Sequence, residues 1–217
     1  MSAVNEFPPP HPVQFTGSPL ARWVLARMGW QLKFEGLPAL QGLVAVYPHT
    51  SNWDFPMCML VKWAIGIPLR FWAKDSLFRI PLFGPWLRWL GGVPVVRSVS
   101  MGMVTQAVNQ FEVHRAQGRF FWLGVSPEGT RKITPGWRSG FYQMALQAKV
   151  PLCLVRLDYG SREVVALDFV ALSGDPVADF PRIVVAYEGV QGCNPQNAAP
   201  IRLKDRLDEP RVEAVKA

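Results

Sequence analysis

Short apolar runs alternate along the chain with segments in which apolar residues recur at helical spacing. The apolar runs predict buried strands at residues 43–47, 69–73, 120–125, 152–157 and 164–170. Helical spacing predicts helices at residues 18–30, 141–148 and 176–189 and around Val104, Ala107, Val108 and Phe111. Buried strands separated by helices are typical of α/β proteins. We therefore expect a single α/β domain whose largely buried sheet is flanked by helices.

Capping residues suggest where some of these helices begin and end. Ser18 can cap the helix at residues 18–30, Pro19 suits its first turn, and Gly29 can end it. A further helix is expected after a cap at Ser51 or Asn52, and it would run to about residue 64.

The two ends of the chain lack this periodicity. Residues 1–17 are polar and rich in proline, so we expect a disordered lead-in rather than a secretion signal. From residue 192 the periodicity is lost again, which predicts a loose tail at residues 192–217. The folded domain is therefore expected to span residues 18–191.

The charge balance favours a polyanionic partner. The 217 residues carry a formal net charge of +7, which suits nucleic acid, an anionic lipid surface or a phosphorylated substrate. Three cysteines without metal-site or CxxC spacing argue against a disulfide framework and for a reducing cytosol. The longest apolar stretch, residues 55–72, is interrupted by Lys62, Pro68 and Arg70, whereas a membrane-spanning helix needs about 20 consecutive apolar residues.

A histidine and an aspartate follow the first predicted buried strand, in the sequence HTSNWD at residues 49–54. Positions i and i+5 do not share a face of one helix, so His49 and Asp54 can meet only if His49 lies in a turn and Asp54 at a helix start. An ionised Asp54 bonded to one imidazole nitrogen would fix the tautomer and leave the other nitrogen free to accept a proton. The pair therefore predicts a general base. The alternative is a turn histidine followed by a plain helix cap.

No serine stands in a good nucleophile elbow for this base. The segment most similar to the GxSxG motif is GVSPEG at residues 124–129. It has Glu128 where the motif requires its second glycine. The base is therefore expected to activate a hydroxyl of a substrate.

Two further segments carry groups that suit an anion. In SPEGTR, Gly129 allows close backbone approach, Thr130 offers a hydroxyl, and Arg131 can fork onto a phosphate. Upstream, GGVPVVR at residues 91–97 ends in Arg97, and Lys74 precedes it. The alternatives are a tight surface turn with an exposed ion pair for SPEGTR and a solvated surface position for Arg97.

The order of these segments resembles the glycerolipid acyltransferase family, the group that includes 1-acylglycerol-3-phosphate acyltransferase. The family has four sequence blocks, namely HxxxxD, a glycine-to-arginine block, EGTR and an apolar block around a proline. The chain has HTSNWD, GGVPVVR, PEGTR and VPLCLV in the same order. The similarity covers roughly residues 20–190 and extends to short bacterial members through AKDSLFRIPLFG and WRSGFYQMA. Lys132 and Val96 depart from the family pattern beside EGTR and Arg97, which leaves the acceptor head group open.

The resemblance implies a mixed sheet of the glycerol-3-phosphate acyltransferase type and an O-acyltransferase that uses neither a metal nor a bound cofactor. The donor would be acyl-CoA or acyl-carrier protein, and the acceptor a lysophospholipid such as 1-acylglycerol-3-phosphate. By the same resemblance, His49 would be the catalytic base, Asp54 would orient it, and Pro151 would shape the acyl side. The other matched positions would bind the acceptor phosphate: Lys74, Arg97, Glu128, Gly129, Thr130 and Arg131.

Tryptophans interleave with basic residues between residues 62 and 97. This composition favours an anionic membrane interface, although tryptophans are also common in protein cores. We expect a peripheral protein of phospholipid biosynthesis at the cytoplasmic face of the inner membrane. No recognition motif supports a nucleic-acid partner. The open alternatives are an acyltransferase for another lyso-lipid, such as a lyso-ornithine lipid, and a non-catalytic basic module that binds lipid or RNA.

Overall fold

The structure of the protein is a computed structural model, and it describes residues 6–95 and 100–204. The described residues form the strands β1 (Gln31–Phe34), β2 (Gln41–Tyr47), β3 (Arg70–Lys74), β4 (Gly92–Val95), β5 (Phe121–Val125), β6 (Leu152–Asp158) and β7 (Glu163–Val170). The α-helices are α1 (Pro19–Arg27), α2 (Asp54–Ile65), α3 (Phe83–Trp89), α4 (Ser100–Ala116), α5 (Gly140–Ala148) and α6 (Pro176–Ala186). Short 3-10 turns lie at Asp75–Arg79 and Pro195–Asn197.

All of these strands belong to one mixed sheet in the order β1-β7-β6-β2-β5-β3-β4. Among the described strands, β6 and β7 pair antiparallel and the other neighbours pair parallel. The carboxyl ends of β2, β3, β4, β5 and β6 therefore meet at one edge, which we call the C-terminal edge of the sheet.

Helices cover both faces of this sheet. Leu43, Ala45 and Tyr47 of β2 point into a core shared with α4, α5 and α6, whereas Val44 points into a core shared with α1 and α2. The pleat of a strand causes this division, because successive side chains point to opposite faces. The prediction of a single α/β domain with a mixed, largely buried and helix-flanked sheet is confirmed.

Helix boundaries agree with the sequence at α1 and differ at α2. Ser18 caps α1, and its Oγ accepts a hydrogen bond from the N–H of Ala21 at 3.3 Å. Gly29 follows the end of α1 with a φ of 76°, in the left-handed region that favours glycine. The helix α2 begins at Asp54 with Trp53 as its N-cap, and not after a cap at Ser51 or Asn52. Ser51 Oγ accepts the N–H of Trp53 instead, at 3.1 Å.

The hydrophobic pattern of the sequence did not predict two short elements, β1 and α3. The strand β1 has the four residues QLKF, in which polar and apolar side chains alternate, so it contains no apolar run. The helix α3 has seven residues, which is two turns and too few to show a helical repeat.

The described parts of both chain ends, residues 6–17 and 192–204, contact the rest of the domain. His11 is buried edge-on against Phe169, and the backbone of Val13 bridges to Leu37. At the other end, Ala199 is fully buried, and the N–H of Trp137 donates to the carbonyl of Arg202 at 2.7 Å. Residues 1–5 and 205–217 lie outside the described residues, and the domain boundaries of 18 and 191 stay a prediction.

Candidate active site

The parallel strands bring most candidate residues to the C-terminal edge of the sheet. His49 follows β2 by two residues, Glu128 follows β5 by three, and Lys74 is the last residue of β3. β2 pairs with β5, and β5 pairs with β3, so these three positions follow neighbouring strands. Arg97 follows β4 in the sequence but lies outside the described residues.

His49 and Asp54 are in contact, as the sequence predicts. Nδ1 of His49 lies 3.1 Å from Oδ2 of Asp54, and the Asp54 side chain is completely buried whereas 21% of the His49 side chain is exposed. An ionised carboxylate can only accept, so Nδ1 carries the proton and Nε2 is left as a proton acceptor. This arrangement can act as a general base toward a group that approaches from solvent.

Asp54 is held by a set of hydrogen bonds. Its Oδ2 accepts the backbone N–H groups of Thr50 at 2.8 Å and Ser51 at 2.9 Å, and its Oδ1 accepts the hydroxyl of Tyr159 at 2.9 Å. Burial raises the pKa of Asp54, but the hydrogen bonds from His49, Ser51 and Tyr159 outweigh burial and hold the pKa below its usual range. Asp54 is therefore ionised at neutral pH, as the pairing with His49 requires.

Glu128 holds the turn that carries His49. It is buried, its Oε2 accepts the backbone N–H of His49 at 2.5 Å, and its Oε1 accepts the backbone N–H of Ala199 at 3.0 Å. Burial raises its pKa to about 7. Both carboxyl oxygens are thus occupied by backbone N–H groups of the chain itself. This placement differs from the phosphate-binding role that the family resemblance implies for Glu128.

The residues after Glu128 leave cationic groups exposed at the same edge. Gly129 has a φ of 65° and packs against Arg138, whose Nε would lie 2.8 Å from a Cβ at this position. Thr130 Oγ1 accepts the N–H of Lys132 at 3.3 Å. Arg131 is exposed, and no ion pair of Arg131 is found among the described residues. Arg131 and Arg138 therefore remain available to an anion, and sequence reasoning missed Arg138.

Sequence reasoning also missed two residues that contact the turn of His49 and Asp54. Tyr159 follows β6 and contacts Asp54, and Asn194 donates its side-chain amide to the carbonyl of Thr50 at 2.9 Å. The sequence shows only that a tyrosine follows an apolar strand. Predicting its contact with Asp54 also requires knowing that β6 lies parallel to β2. Pro151 precedes the first residue of β6 and therefore lies at the opposite edge of the sheet from His49, and its role on the acyl side stays a prediction.

The described residues were also searched for metal-binding clusters and for membrane-spanning helices. Among residues 6–95 and 100–204, no group of three His, Cys, Asp or Glu side chains is arranged to hold a metal ion. In the same ranges, none of the helices combines the length and the apolar character needed to cross a bilayer.

Comparison with known proteins found a family model and a solved structure that match the chain. A family model described as Acyltransferase matches residues 31–157, which is more than half of the chain and includes His49, Asp54 and Glu128. None of the curated proteins matches the chain. Among solved structures, the chain is similar to the crystal structure of the 1-acyl-sn-glycerophosphate (LPA) acyltransferase PlsC from Thermotoga maritima. The identity is 21%, the match covers 76% of this chain and 72% of that chain, and the TM-score is 0.47.

Proposed function

Because this chain belongs to the acyltransferase family, we propose that it transfers a fatty acyl group from an acyl thioester to a hydroxyl of a lysophospholipid. The acceptor we propose is 1-acylglycerol-3-phosphate, and the reaction is a step of phospholipid biosynthesis. The observation that carries the proposal is the contact between buried Asp54 and partly exposed His49 at the C-terminal edge of the sheet.

The pair supplies base catalysis for this reaction. Nε2 of His49 takes the proton of the acceptor hydroxyl while the hydroxyl oxygen attacks the thioester carbon. A C–O bond forms, the C–S bond breaks, and the imidazolium returns its proton to the departing thiolate. Asp54 stabilises the imidazolium that forms between these two proton transfers. Positioned base catalysis of this kind contributes about 10²–10⁴-fold to the rate.

Exposed cations next to the pair support a phosphate-bearing acceptor. Arg131 and Arg138 are exposed after β5, and exposed Lys74 ends the neighbouring strand β3. An arginine can bind a phosphate with two parallel hydrogen bonds, whereas lysine binds it as a point charge. Arg97 remains a proposed member of this group. Glu128 acts instead through the His49 turn, and Gly129 and Thr130 shape the loop that carries Arg131.

An apolar space beneath α2 supports a fatty acyl group. Between α2 and the sheet lies a cavity of about 60 Å³, lined by side chains that include Val46 and Cys58. Val46 is three residues before His49, and Cys58 is one helical turn after Asp54. A groove of about 510 Å³ between α1 and α2 shares Lys62 and Ile67 with this cavity. The cavity is too small for a whole fatty acyl chain, so most of the chain would lie in the groove between α1 and α2.

Exposed tryptophans support an anionic membrane as the place of reaction. Trp23 on α1, Trp63 near the end of α2 and Trp89 at the end of α3 are exposed, and the rings of Trp63 and Trp89 lie 6.2 Å apart. Trp63 and Trp89 form the surface that we call the tryptophan patch. Trp side chains favour the headgroup region of a bilayer, and basic residues favour anionic lipid. We place the protein at the cytoplasmic face of the inner membrane as a peripheral protein.

The test offers the purified protein labelled acyl-CoA or acyl-carrier protein together with a panel of lyso-lipids, and identifies the products by mass spectrometry. We expect a diacyl product from 1-acylglycerol-3-phosphate. If lyso-ornithine lipid is the one acceptor that gives a product, the proposed acceptor would be lyso-ornithine lipid instead. A folded protein that binds lipid vesicles but gives no product with any pair of substrates would be a lipid-binding module instead.

A further inference from the structure

Tyr159 reaches the His49–Asp54 pair from a different part of the chain. It lies in the turn after β6, and because Tyr47 of β2 pairs with Arg156 of β6 in parallel, the next residues of both strands emerge at the C-terminal edge. The Tyr159 hydroxyl donates to Oδ1 of Asp54 at 2.9 Å. The family match ends at residue 157, so Tyr159 lies beyond the matched residues.

The position of the phenol ring is fixed by groups that take no part in the pair. The ring packs edge-on against Trp30, with centroids 5.0 Å apart and planes at 90°. The backbone N–H of Tyr159 donates to the carbonyl of Gln191 at 2.8 Å. The hydroxyl is therefore held at its place by packing on one side and by the backbone on the other.

The two oxygens of Asp54 have separate partners. Oδ2 faces His49 Nδ1 and accepts the N–H groups of Thr50 and Ser51, whereas Tyr159 is the partner of Oδ1 among the described residues. Three partners on one oxygen fix that atom but leave the carboxylate able to pivot about it. The hydrogen bond from Tyr159 fixes the second oxygen and hence the plane of the carboxylate.

The phenol remains a donor over the working range of pH. Burial, followed by the neighbouring Asp54 carboxylate, raises the pKa of Tyr159 far above its ordinary value. The hydroxyl therefore keeps its proton and can always point it at the ionised carboxylate.

We propose that Tyr159 is a positioning residue for the proposed acyl transfer. Its hydroxyl fixes the carboxylate of Asp54, which in turn fixes the tautomer and the ring orientation of His49. The kinetic consequence of this inference rests on the proposed function, whereas its consequence for the His49 ring does not.

The test is Tyr159→Phe, which keeps the ring against Trp30 and removes only the hydroxyl. We expect kcat to fall by about 10- to 100-fold, the range for losing a hydrogen bond to a charged group, with both KM values unchanged. In an Asp54→Asn background, Tyr159→Phe should cause little further loss, because the residues act as one unit. Tyr142→Phe is the matched control, since its hydroxyl donates to buried Asp179 at 2.6 Å on α6, away from the site. It should lower stability and leave kcat unchanged.

A second measurement does not depend on turnover. Nitrogen NMR shifts of the His49 ring report the share of the Nδ1–H tautomer, and we expect this share to fall in Tyr159→Phe and not in Tyr142→Phe. An unchanged tautomer, a loss confined to KM, or an equal fall of kcat in both variants would overturn the role of Tyr159. If the wild-type protein transfers no acyl group to any lyso-lipid, the proposed function fails, and the tautomer measurement still decides the role of Tyr159.

Discussion

Asp54→Asn removes the negative charge of the His49–Asp54 pair and preserves most of the hydrogen bonds that Asp54 makes. The amide oxygen can occupy the place of Oδ2 and accept the N–H groups of Thr50 and Ser51, which lie 2.8 and 2.9 Å from that atom. The amide nitrogen then faces the hydroxyl of Tyr159, which can accept as well as donate. We therefore expect the variant to fold, with a loss that is concentrated in catalysis.

The size of the loss follows from the 3.1 Å between Nδ1 of His49 and Oδ2 of Asp54. At an effective dielectric constant of about 20, a full imidazolium charge gains about 5 kcal/mol from a carboxylate at this distance, and a half-transferred proton gains about half of that. Since about 1.36 kcal/mol corresponds to a tenfold change in rate, we expect kcat to fall by about 10²–10⁴-fold.

The assay measures initial rates of acyl transfer at saturating donor and acceptor, with thermal unfolding followed in parallel. Asp179→Asn is the matched control, because Asp179 is an equally buried carboxylate that accepts from Tyr142 and from the N–H of Ser173. It should lower the unfolding temperature and leave kcat unchanged. A kcat of Asp54→Asn within a few-fold of wild type would refute the charge pairing of Asp54 with His49.

Three further predictions concern the acceptor, the membrane and pH. Arg131→Lys should lower kcat/KM for the acceptor by about one to two decades, because lysine cannot bind a phosphate at two points as arginine does, and kcat/KM for the donor should change little. A loss mainly in kcat/KM for the donor would contradict the assignment of Arg131 to the acceptor site. Trp63→Ser combined with Trp89→Ser should reduce sedimentation with anionic phospholipid vesicles, whereas Val113→Ser, an exposed position on α4, should not; equal binding by all three proteins would exclude the tryptophan patch. Burial raises the pKa of Glu128 from 4.5 to about 7, so the stability gained from its protonated form is complete below about pH 4.5 and is lost as the pH rises through about 7. In urea titrations the unfolding free energy of wild type relative to Glu128→Gln should therefore fall by about 3 kcal/mol over this range, and a constant difference would contradict the raised pKa.

The elements that place His49 and Asp54 could be predicted because each leaves a local trace in the sequence. The strand β2 is an apolar run, and the five-residue spacing requires a turn followed by a helix start, which is where Asp54 lies. Periodicity reports such elements one at a time, and it does not report which strands are neighbours. The contact of Tyr159 with Asp54 depends on the parallel pairing of β6 with β2, so it could not be predicted.

The burial of Glu128 and the packing of residues 192–204 also could not be predicted from the sequence pattern. A glutamate between proline and glycine is typical of an exposed turn, and the chain segment that covers it has no apolar repeat. Hydrogen bonds between its backbone and buried side chains hold that segment: the N–H of Ala199 donates to Glu128, and the hydroxyl of Tyr47 donates to the carbonyl of Ala199. Irregular segments fixed in this way leave no periodic signal, so only the structure shows that this one braces the His49 turn.

The rate of acyl transfer by His49→Ala tests the role of His49 as the general base most directly. His114→Ala is the control, because His114 lies on α4, bonded to the carbonyl of Gln110 and stacked on Phe121, the first residue of β5, at the opposite end of that strand from the C-terminal edge. With labelled acyl donor and 1-acylglycerol-3-phosphate, we expect turnover by wild type and His114→Ala and none above background by folded His49→Ala. Turnover by His49→Ala within a few-fold of wild type would contradict the assignment of His49 as the base.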